Sequence, residues 1–600
     1  MPNSEQWRDD ARRALAAARA HLLAQRGDAG YWRGELSSSA LSTAVAALAL
    51  HQVDSVTHRT AVARALRWVA EHANADGGWG DTTASPSNLS TTLLCWSALA
   101  FADPADTAAR QAALAAERWI ERAAGSLNPE ELARAVVQSY GSDRTFSAPI
   151  LTVCALAGRL GSIPWRLVPQ LPFELAVLPH GLFRFLRLSV VSYAIPALIA
   201  IGLVRHRRAP SVSVGWLRNA ATRPALDVLR RCQPSHGGFL EAAPLTGFVA
   251  MSLAAAGLPD HVVALECARF LADTVRADGS WPIDTNLATW VTTLSINALA
   301  DGNAVEAALP ESDRSALREW LLNQQGRQVH PFTHAAPGGW GWTSLPGAVP
   351  DGDDTPGVLV ALRALGPASP SVSESAAAGV RWLLGLRNSD GGIPTFCRGW
   401  GKLPFDRSCP DLTAHALRAF DAWRDDVDPA LRRRMDHATR GFVRYLEGGQ
   451  QSDGSWLPLW FGNQTAPGQT NPTYGTAQVV RALAGIAPDR HPAVRTLAAR
   501  GRQWLVSAQN ADGGWGGAAG VPSSIEETAL AVTALCGSDC GEAVRRGTEW
   551  LVRQTEGGTR FAPAPIGLYF ARLWYSERLY PVIFTVQALG SVQTRIGKTS

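Results

Sequence analysis

Methionine is nearly missing from this chain, with three residues in 600 against 22 tryptophans and 17 phenylalanines. Methionine is the adaptable filler of loose cores, whereas tryptophan is large, rigid and needs a defined setting. The skew argues against a plastic, Met-lined surface and points to repeated use of aromatic rings. Charge of one sign is also lacking: Lys plus Arg number 56 and Asp plus Glu 52, a formal excess of +4. Such a balance gives no footprint for nucleic acid, and none is expected as a partner. The eight cysteines follow no paired framework, which fits a reducing, cytoplasmic setting. Cys536 and Cys540 lack the nearby histidines of a metal knuckle. No convincing strand run occurs, and residues 1–26 are charged and helical in pattern, unlike a signal peptide. Six hundred residues exceed one ordinary core, so two large domains or a repeat array are expected.

What is present begins with Asp351-Gly352-Asp353-Asp354-Thr355-Pro356, three carboxylates in four residues opening a helical pattern. Asp354 or Thr355 suits a helix cap, and Pro356 suits the first turn. Carboxylates this crowded cannot all ionise cheaply, so at least one should hold its proton near neutral pH. Taken alone, the run fits a solvated cap, a cation site or a positioned general acid.

A unit also recurs along the chain: an amphipathic helix, then a polar turn that ends in an aromatic residue. Trp504-Leu505 leads to Gln509 and Asp512-Gly513-Gly514-Trp515, and Tyr445-Leu446 leads to Gln450 and Asp453-Gly454-Ser455-Trp456. Trp320 leads through Gln324 to Gly338-Gly339-Trp340, and Trp382 to Asp390-Gly391-Gly392-Ile393 with Phe396 just beyond. Trp550 leads through Gln554 to Gly557-Gly558 and Phe561, and weaker copies end at Trp32, Trp79, Phe239 and Trp281. The terminal aromatics lie about 40 to 60 residues apart, with one longer gap after Trp79, which leaves room for two helices per unit. Glycine and aspartate suit the turn, and glutamine can bond backbone groups at the next helix end. The repeat is a stability device, and stacked hairpins that close on themselves give an all-α fold of α/α barrels.

These units and the acidic run together resemble the squalene–hopene cyclase family of class II terpene cyclases, with its QW repeats and Asp-x-Asp-Asp motif. Leu22-Leu23-Ala24-Gln25 with Gly30-Tyr31-Trp32 looks like the opening repeat, and Pro350 to Thr355 matches the acid motif. Asp411-Leu412-Thr413-Ala414-His415 matches an Asp-x-Thr-Ala-His segment, and Tyr474-Gly475-Thr476 a Tyr-Gly-Thr that supports the acid. The resemblance covers nearly the whole chain and implies an N-terminal helix at 1–16, an inserted α/α barrel at 17–275 and a catalytic α/α barrel at 276–600. It implies proton-initiated cyclisation of squalene or a related linear isoprenoid to a hopanoid or other polycyclic product, with no cofactor or metal.

By the same resemblance Asp353 is the proton donor, and Asp351 and Asp354 shape its environment. Asp411 and His415, four apart, share one helical face. A protonated His415 would stabilise the carboxylate that Asp353 becomes. Tyr474 would relay the proton back from water. Trp290, Trp342, Trp460 and Phe561 are the candidates to face the carbocation, because an aromatic quadrupole stabilises positive charge without a nucleophile. The chain departs from the family pattern in several places. Gly352 stands where a larger residue is common, Trp342 where Phe is usual, and the loop over 457–473 is long. Leu568 and Arg572 fall about where aromatics are expected, and 38–45 and 90–96 hold no carboxylate where hopene formers carry glutamates. The start of the reaction is therefore expected to be intact, and its product is left open.

An apolar stretch of about seventeen residues, 188–204, contains Pro196 and is flanked by Arg184, Arg187, Arg205, Arg207 and Arg208. It fits an insertion into one leaflet, with the arginines at anionic headgroups. Residues 170–208 are thus the expected membrane-contacting segment of a monotopic protein, taken to sit at a bacterial inner membrane. A homodimer is left open. Four other readings stand beside the cyclase: a cyclase of a shorter prenyl chain or diphosphate, a zinc-dependent protein prenyltransferase β-subunit, an (α/α) glycosidase and a non-catalytic helical scaffold. The prenyltransferase reading would use Cys409, Asp411 and His415 as zinc ligands.

Overall fold

The structure is a computed structural model that describes residues 6–140, 144–179, 182, 195–396, 405–487, 489–537, 541–569 and 573–599. Six helices (Ala288–Asp301, Asp354–Ala364, Pro410–Trp423, Pro472–Ala484, Ile525–Leu535 and Tyr580–Thr599) each pack on the next, and the last closes on the first. These inner helices are buried nearly all round. Every residue of Ile525–Leu535 is buried, which marks a core helix rather than a surface one with a single apolar stripe. Amphipathic helices such as Pro429–Gly449 and Gly541–Gln554 form an outer layer. The N-terminal half repeats the plan. Its helices Ala40–Asp54, Leu89–Ala98, Arg144–Leu156, Ile195–Arg208 and Ala243–Ala255 make a second closed ring. The fold is two α/α barrels.

The two cores divide the chain differently from the expected boundaries. Buried residues from Ala11 to Leu36 join the core of the C-terminal barrel, and the N-terminal core begins at Ala40. The physical reason is a clamp. The Trp32 N–H donates to Thr292 Oγ1 at 3.1 Å, and that hydroxyl donates back to Trp32 O at 2.9 Å.

The same clamp closes the other turns. The N–H of Trp79, Trp281, Trp340, Trp456 and Trp515 donates to the hydroxyl of Thr92, Thr43, Thr355, Thr476 and Thr528 respectively, at 2.9–3.0 Å. The indole N–H of each ring donates to a carbonyl of the preceding helix at 2.7–2.9 Å. Glutamine bridges to the next helix: Gln509 Nε2 donates to Gly513 O at 2.8 Å and Ala543 O at 3.0 Å. In the Trp320 unit this bridge is made by Gln325, to Gly338 O and Ser375 O, while Gln324 turns back to Trp320 O.

Two short strand pairs occur where none was expected. Ser38–Ser39 pairs with Trp281–Pro282, and Gly567–Tyr569 with Leu573–Tyr575. Strands of two or three residues are too short to show a period of two. Among the described residues no helix is long and apolar enough to cross a membrane. Residues 188–194, with Arg184 and Arg187, lie outside the described residues, as does Arg572.

Candidate active site

The acidic run sits at the N-terminus of the inner helix Asp354–Ala364. Asp351 supplies the capping acceptor, its Oδ1 taking the N–H of Asp353 at 2.8 Å and of Asp354 at 2.7 Å. Thr355, one of the expected caps, is instead engaged in the Trp340 clamp. Gly352 has a steric cause: its N–H donates to Thr395 O at 2.6 Å, and a Cβ there would lie 2.4 Å from Pro394 O. Asp351 and Asp354 are buried and hydrogen-bonded to each other. Burial, and then the charge of Asp351, holds Asp354 well above the usual carboxylate range, and burial pushes Asp351 up to about 7. Burial likewise pushes Asp353 up to about 7. Of the three, only Asp353 faces both a large cavity in front and a smaller recess behind.

In that recess, His415 Nδ1 lies 2.7 Å from Asp353 Oδ1. Asp411, one helical turn earlier, accepts the thiol of Cys409, and burial raises it to about 7. Burial, followed by the neighbouring Arg418 and Arg481, holds the His415 imidazole well below its ordinary value. Burial thus favours the uncharged form of both groups, because neither ion is solvated there. Tyr474 lines the recess, stacks on Phe461 at 3.8 Å between ring centroids, and bonds Gln478 through its hydroxyl. Burial, then Asp353 and Asp411, raises its phenol well above the ordinary value, so it stays protonated. Among the described residues no three His, Cys, Asp or Glu side chains are gathered to hold a metal.

The cavity in front of Asp353 measures about 1540 Å³ with its mouth and is walled by both barrels. Leu41, Leu94, Ile150, Leu245 and Phe248 come from the N-terminal side. Trp290, Trp342 and Trp460 line it from the C-terminal side. Trp290 Nε1 donates to the Tyr580 hydroxyl at 2.8 Å, and Trp460 Nε1 to Thr395 Oγ1 at 2.5 Å. Trp342 meets Phe396 edge-on, centroids 6.0 Å apart at 65°.

Phe561 does not reach this cavity; its ring packs on His21 at 5.2 Å. Its place in the aromatic wall is taken by residues the sequence left unassigned: Phe396, Phe405, Phe461 and Tyr575. Phe396 is free to do so because Ile393, three residues earlier, makes that turn's threonine clamp, to Thr413 at 2.9 Å. A doubled apolar position in one repeat was the available signal.

Two rings of helices enclosing an aromatic-walled cavity, with a buried acidic run whose carboxyls are raised above the usual range at its wall, define the class II terpene cyclase architecture. The chain belongs to the squalene–hopene cyclase family. Residues 286–594 match the Squalene-hopene cyclase C-terminal domain, and residues 15–213 the Squalene-hopene cyclase N-terminal domain. Enfumafungin synthase efuA of Hormonema carpetanum is 26% identical across 94% of this chain and 47% of its own, so this chain spans about half the length of that relative. The squalene–hopene cyclase of Alicyclobacillus acidocaldarius is 27% identical across 79% of this chain and 78% of its own. In fold, the chain is similar to the ent-copalyl diphosphate synthase of Streptomyces platensis, with a TM-score of 0.53 at 20% identity, covering 97% of this chain and 99% of that one.

Proposed function

We propose that this chain protonates a linear isoprenoid, with squalene the first candidate, and closes it into a polycyclic product. The observation that carries the proposal is Asp353: a carboxyl kept protonated near neutrality by burial, backed by His415 and open to an apolar, aromatic-walled cavity. With the imidazole proton on Nδ1, Asp353 Oδ1 accepts it and the acidic proton stands on Oδ2. That proton passes to the terminal alkene, whose electron pair becomes the new C–H bond. The next alkene attacks the neighbouring cation, and rings form in succession. The carboxylate left behind is held by the Nδ1–H donor, a bond that strengthens against full charge. Asp351 and Asp354 set the position and surroundings of the acid. Asp411 and Tyr474, in the polar recess, lie where water can return the proton.

Trp290, Trp342 and Trp460 offer π faces to the travelling cation while the apolar wall excludes nucleophilic water. The cavity runs from Asp353 to apolar side chains of the N-terminal barrel such as Leu41, Leu94 and Ile150, an extended apolar lining that suits an isoprenoid chain. A prenyl diphosphate is the less supported substrate, because the described residues that line the cavity include no Arg or Lys to meet its phosphates.

Access from a lipid surface belongs to the same proposal. Ile163, Val212, Trp216 and Leu217 are exposed at 56%, 103%, 72% and 42%, and Val177 and Leu178 also reach the surface. Three of the five arginines expected at headgroups are engaged elsewhere: Arg205 bonds Val168 O and Ala209 O, Arg207 bonds Ala256 O, and Arg208 bonds Ala255 O. The exposed apolar side chains of Ile163, Val177, Leu178, Val212, Trp216 and Leu217 are the better-supported contact, with one leaflet of the bacterial inner membrane.

The test is incubation of the purified protein with squalene, farnesol and geranylgeraniol, followed by mass spectrometry of the products. Cyclised product from at least one, absent with Asp353→Asn, is expected. No cyclised product from any of them removes the proposal.

A further inference from the structure

The turn after Trp79, in the N-terminal barrel, carries a carboxyl group that no step of the proposed reaction uses. Asp81 is only 1% exposed and lines neither the cavity nor the recess behind Asp353. Its Oδ1 accepts the Asn88 side-chain N–H at 2.8 Å and the Thr91 hydroxyl, both within its own barrel. Its Oδ2 reaches across to the other barrel and accepts the Trp574 N–H at 2.9 Å, from 493 residues away. Each oxygen thus serves one barrel.

Trp574 is the middle residue of Leu573–Tyr575, which pairs with Gly567–Tyr569 in a two-stranded sheet. In that register Leu568 lies opposite Trp574, and their N–H groups point to opposite edges. The Leu568 N–H donates to Trp460 O at 2.9 Å, and the Trp574 N–H donates to Asp81 where a third strand would otherwise lie. Trp574 is buried, so without Asp81 this N–H is a donor shut away from water. Its indole packs over Gly462, where an added Cβ would lie 2.6 Å from Cη2. Side chains alternate along a strand, and Leu573 and Tyr575 on either side of Trp574 both line the cavity. The Tyr575 hydroxyl lies 3.5 Å from that of Tyr580, which accepts the Trp290 indole N–H. Ser85, in the same turn as Asp81, accepts Gln464 Nε2 at 2.8 Å from the long loop that carries Trp460 and Phe461.

We propose that Asp81 is a positioning residue for product specificity, fixing from the other barrel the wall strand whose Leu573 and Tyr575 hold the substrate in one fold. This inference rests on the cyclase function proposed above. Which alkene meets each cation depends on how the chain lies against the wall when Asp353 delivers its proton. A strand free to shift admits other folds of the chain, and each closes to a different set of rings or loses a different proton. The bond from Asp81 makes the shape of the cavity a property of both barrels rather than of the C-terminal one alone.

Asp81→Asn tests this, because it separates the two oxygens. With its oxygen kept on Asn88 and Thr91, the new amide nitrogen faces the Trp574 N–H, donor against donor, and the strand has to move. Thr91→Val is the control, since it removes a bond to Oδ1 and leaves the bond to Trp574. Wild type and both variants are given squalene, farnesol and geranylgeraniol well below their measured melting temperatures, and products are resolved by gas chromatography–mass spectrometry. In Asp81→Asn the ratio of the main wild-type product to the other cyclised products should fall about tenfold. Substrate is still consumed, because Asp353 and His415 are untouched. Thr91→Val should melt lower and keep the wild-type ratio. An unchanged ratio in Asp81→Asn overturns the proposal, as does an equal change in Thr91→Val, which would trace the effect to general destabilisation. Should Asp81→Asn not fold, Asp81→Glu decides: its longer side chain pushes on the strand, and an unchanged ratio there overturns the proposal. A wild type that makes no cyclised product, matching an Asp353→Asn control, brings down the cyclase function and this role with it.

Discussion

His415 Nδ1 meets Asp353 Oδ1 at 2.7 Å, joining two inner helices that lie 62 residues apart in the chain. Burial shifts both groups, raising the acid to about 7 and lowering the imidazole. Both shifts favour the uncharged pair. A pair of ions would be held together at rest and would have nothing to give to an alkene. The neutral pair keeps its proton available and gains its strongest hydrogen bond only after the proton has left, which is stabilisation of the transition state rather than of the resting enzyme.

Asp353→Asn keeps the size of the side chain and an oxygen for the His415 N–H, and removes the proton. The expected result is loss of all cyclised product with a melting temperature within a few degrees of wild type. Product formation is read by mass spectrometry, and residual turnover above background in this variant counts against Asp353 as the donor.

His415→Phe fills a similar volume but leaves the Asp353 carboxylate without its partner. A fall in kcat of about 10²–10⁴-fold is expected, the range typical for proton transfer by a positioned side chain. KM should change little, because His415 lines the rear recess and not the substrate cavity. A change confined to KM would assign His415 to substrate binding instead.

The pH dependence has a definite sign. The acid form of Asp353 is the active one, so kcat/KM should fall with a slope of about −1 in log units as pH rises through about 7. Stability should follow the same direction. Asp353, Glu527 and Glu577 are raised to about 7 and Glu526 to about 8, all by burial, above an unfolded value of about 4. Near neutrality the folded chain therefore holds protons that the unfolded chain has released, and stability declines as pH rises through the folded values. Below about 6.5 the lowered histidines, His415 among them, act in the opposite sense. Thermal melts between pH 6.5 and 8.5 isolate the carboxylates, and a Tm that rises across that window contradicts the assigned burial.

Gly352→Val should be damaging for a reason that the acid motif alone does not show. An added Cβ would lie 2.4 Å from Pro394 O and 2.9 Å from Ile393 Cγ2, so the turn carrying Asp353 must move. Overpacking of this kind costs about 1–3 kcal/mol. Lower Tm and lower turnover are expected together, since the displaced residue is next to the acid.

Several parts of this structure were legible in the sequence because their signal is local. The crowded carboxylates, the helical periodicity and the Gly-rich turns each fit within a few residues. Other parts depend on partners that sequence order hides. The threonine that clamps each aromatic turn lies 13 residues away for Trp79 and Trp515, 20 for Trp456, and 238 for Trp281. Phe561 and Phe396 have the same residue type and a similar place in their repeats, yet only Phe396 faces the cavity, because Ile393 takes over its clamp. The arginines over 205–208 read as a cationic surface, but their guanidinium groups fold back onto helix-terminal carbonyls. Asp81 is a single acidic residue in a polar turn, and only the closure of the two barrels gives it Trp574 as a partner.

The threonine clamp is the last element to be tested, and it separates stability from chemistry. The Trp515 N–H donates to Thr528 Oγ1 at 2.9 Å, and that hydroxyl donates to Trp515 O at 3.2 Å, with both residues fully buried. Thr528→Val keeps the shape but leaves the buried Trp515 N–H unsatisfied, at about 1–3 kcal/mol, while Trp515 O keeps the Ser524 N–H at 3.0 Å. Thr528→Ser keeps the hydroxyl and loses one methyl, about 0.8 kcal/mol on the scale for a buried CH₂. Thr528→Val should therefore melt below Thr528→Ser, although it is the more hydrophobic variant. Both should retain wild-type kcat at temperatures where they are folded, because Thr528 touches neither the cavity nor the recess behind Asp353. If Thr528→Val proves the more stable of the two, packing rather than hydrogen bonding holds the turn.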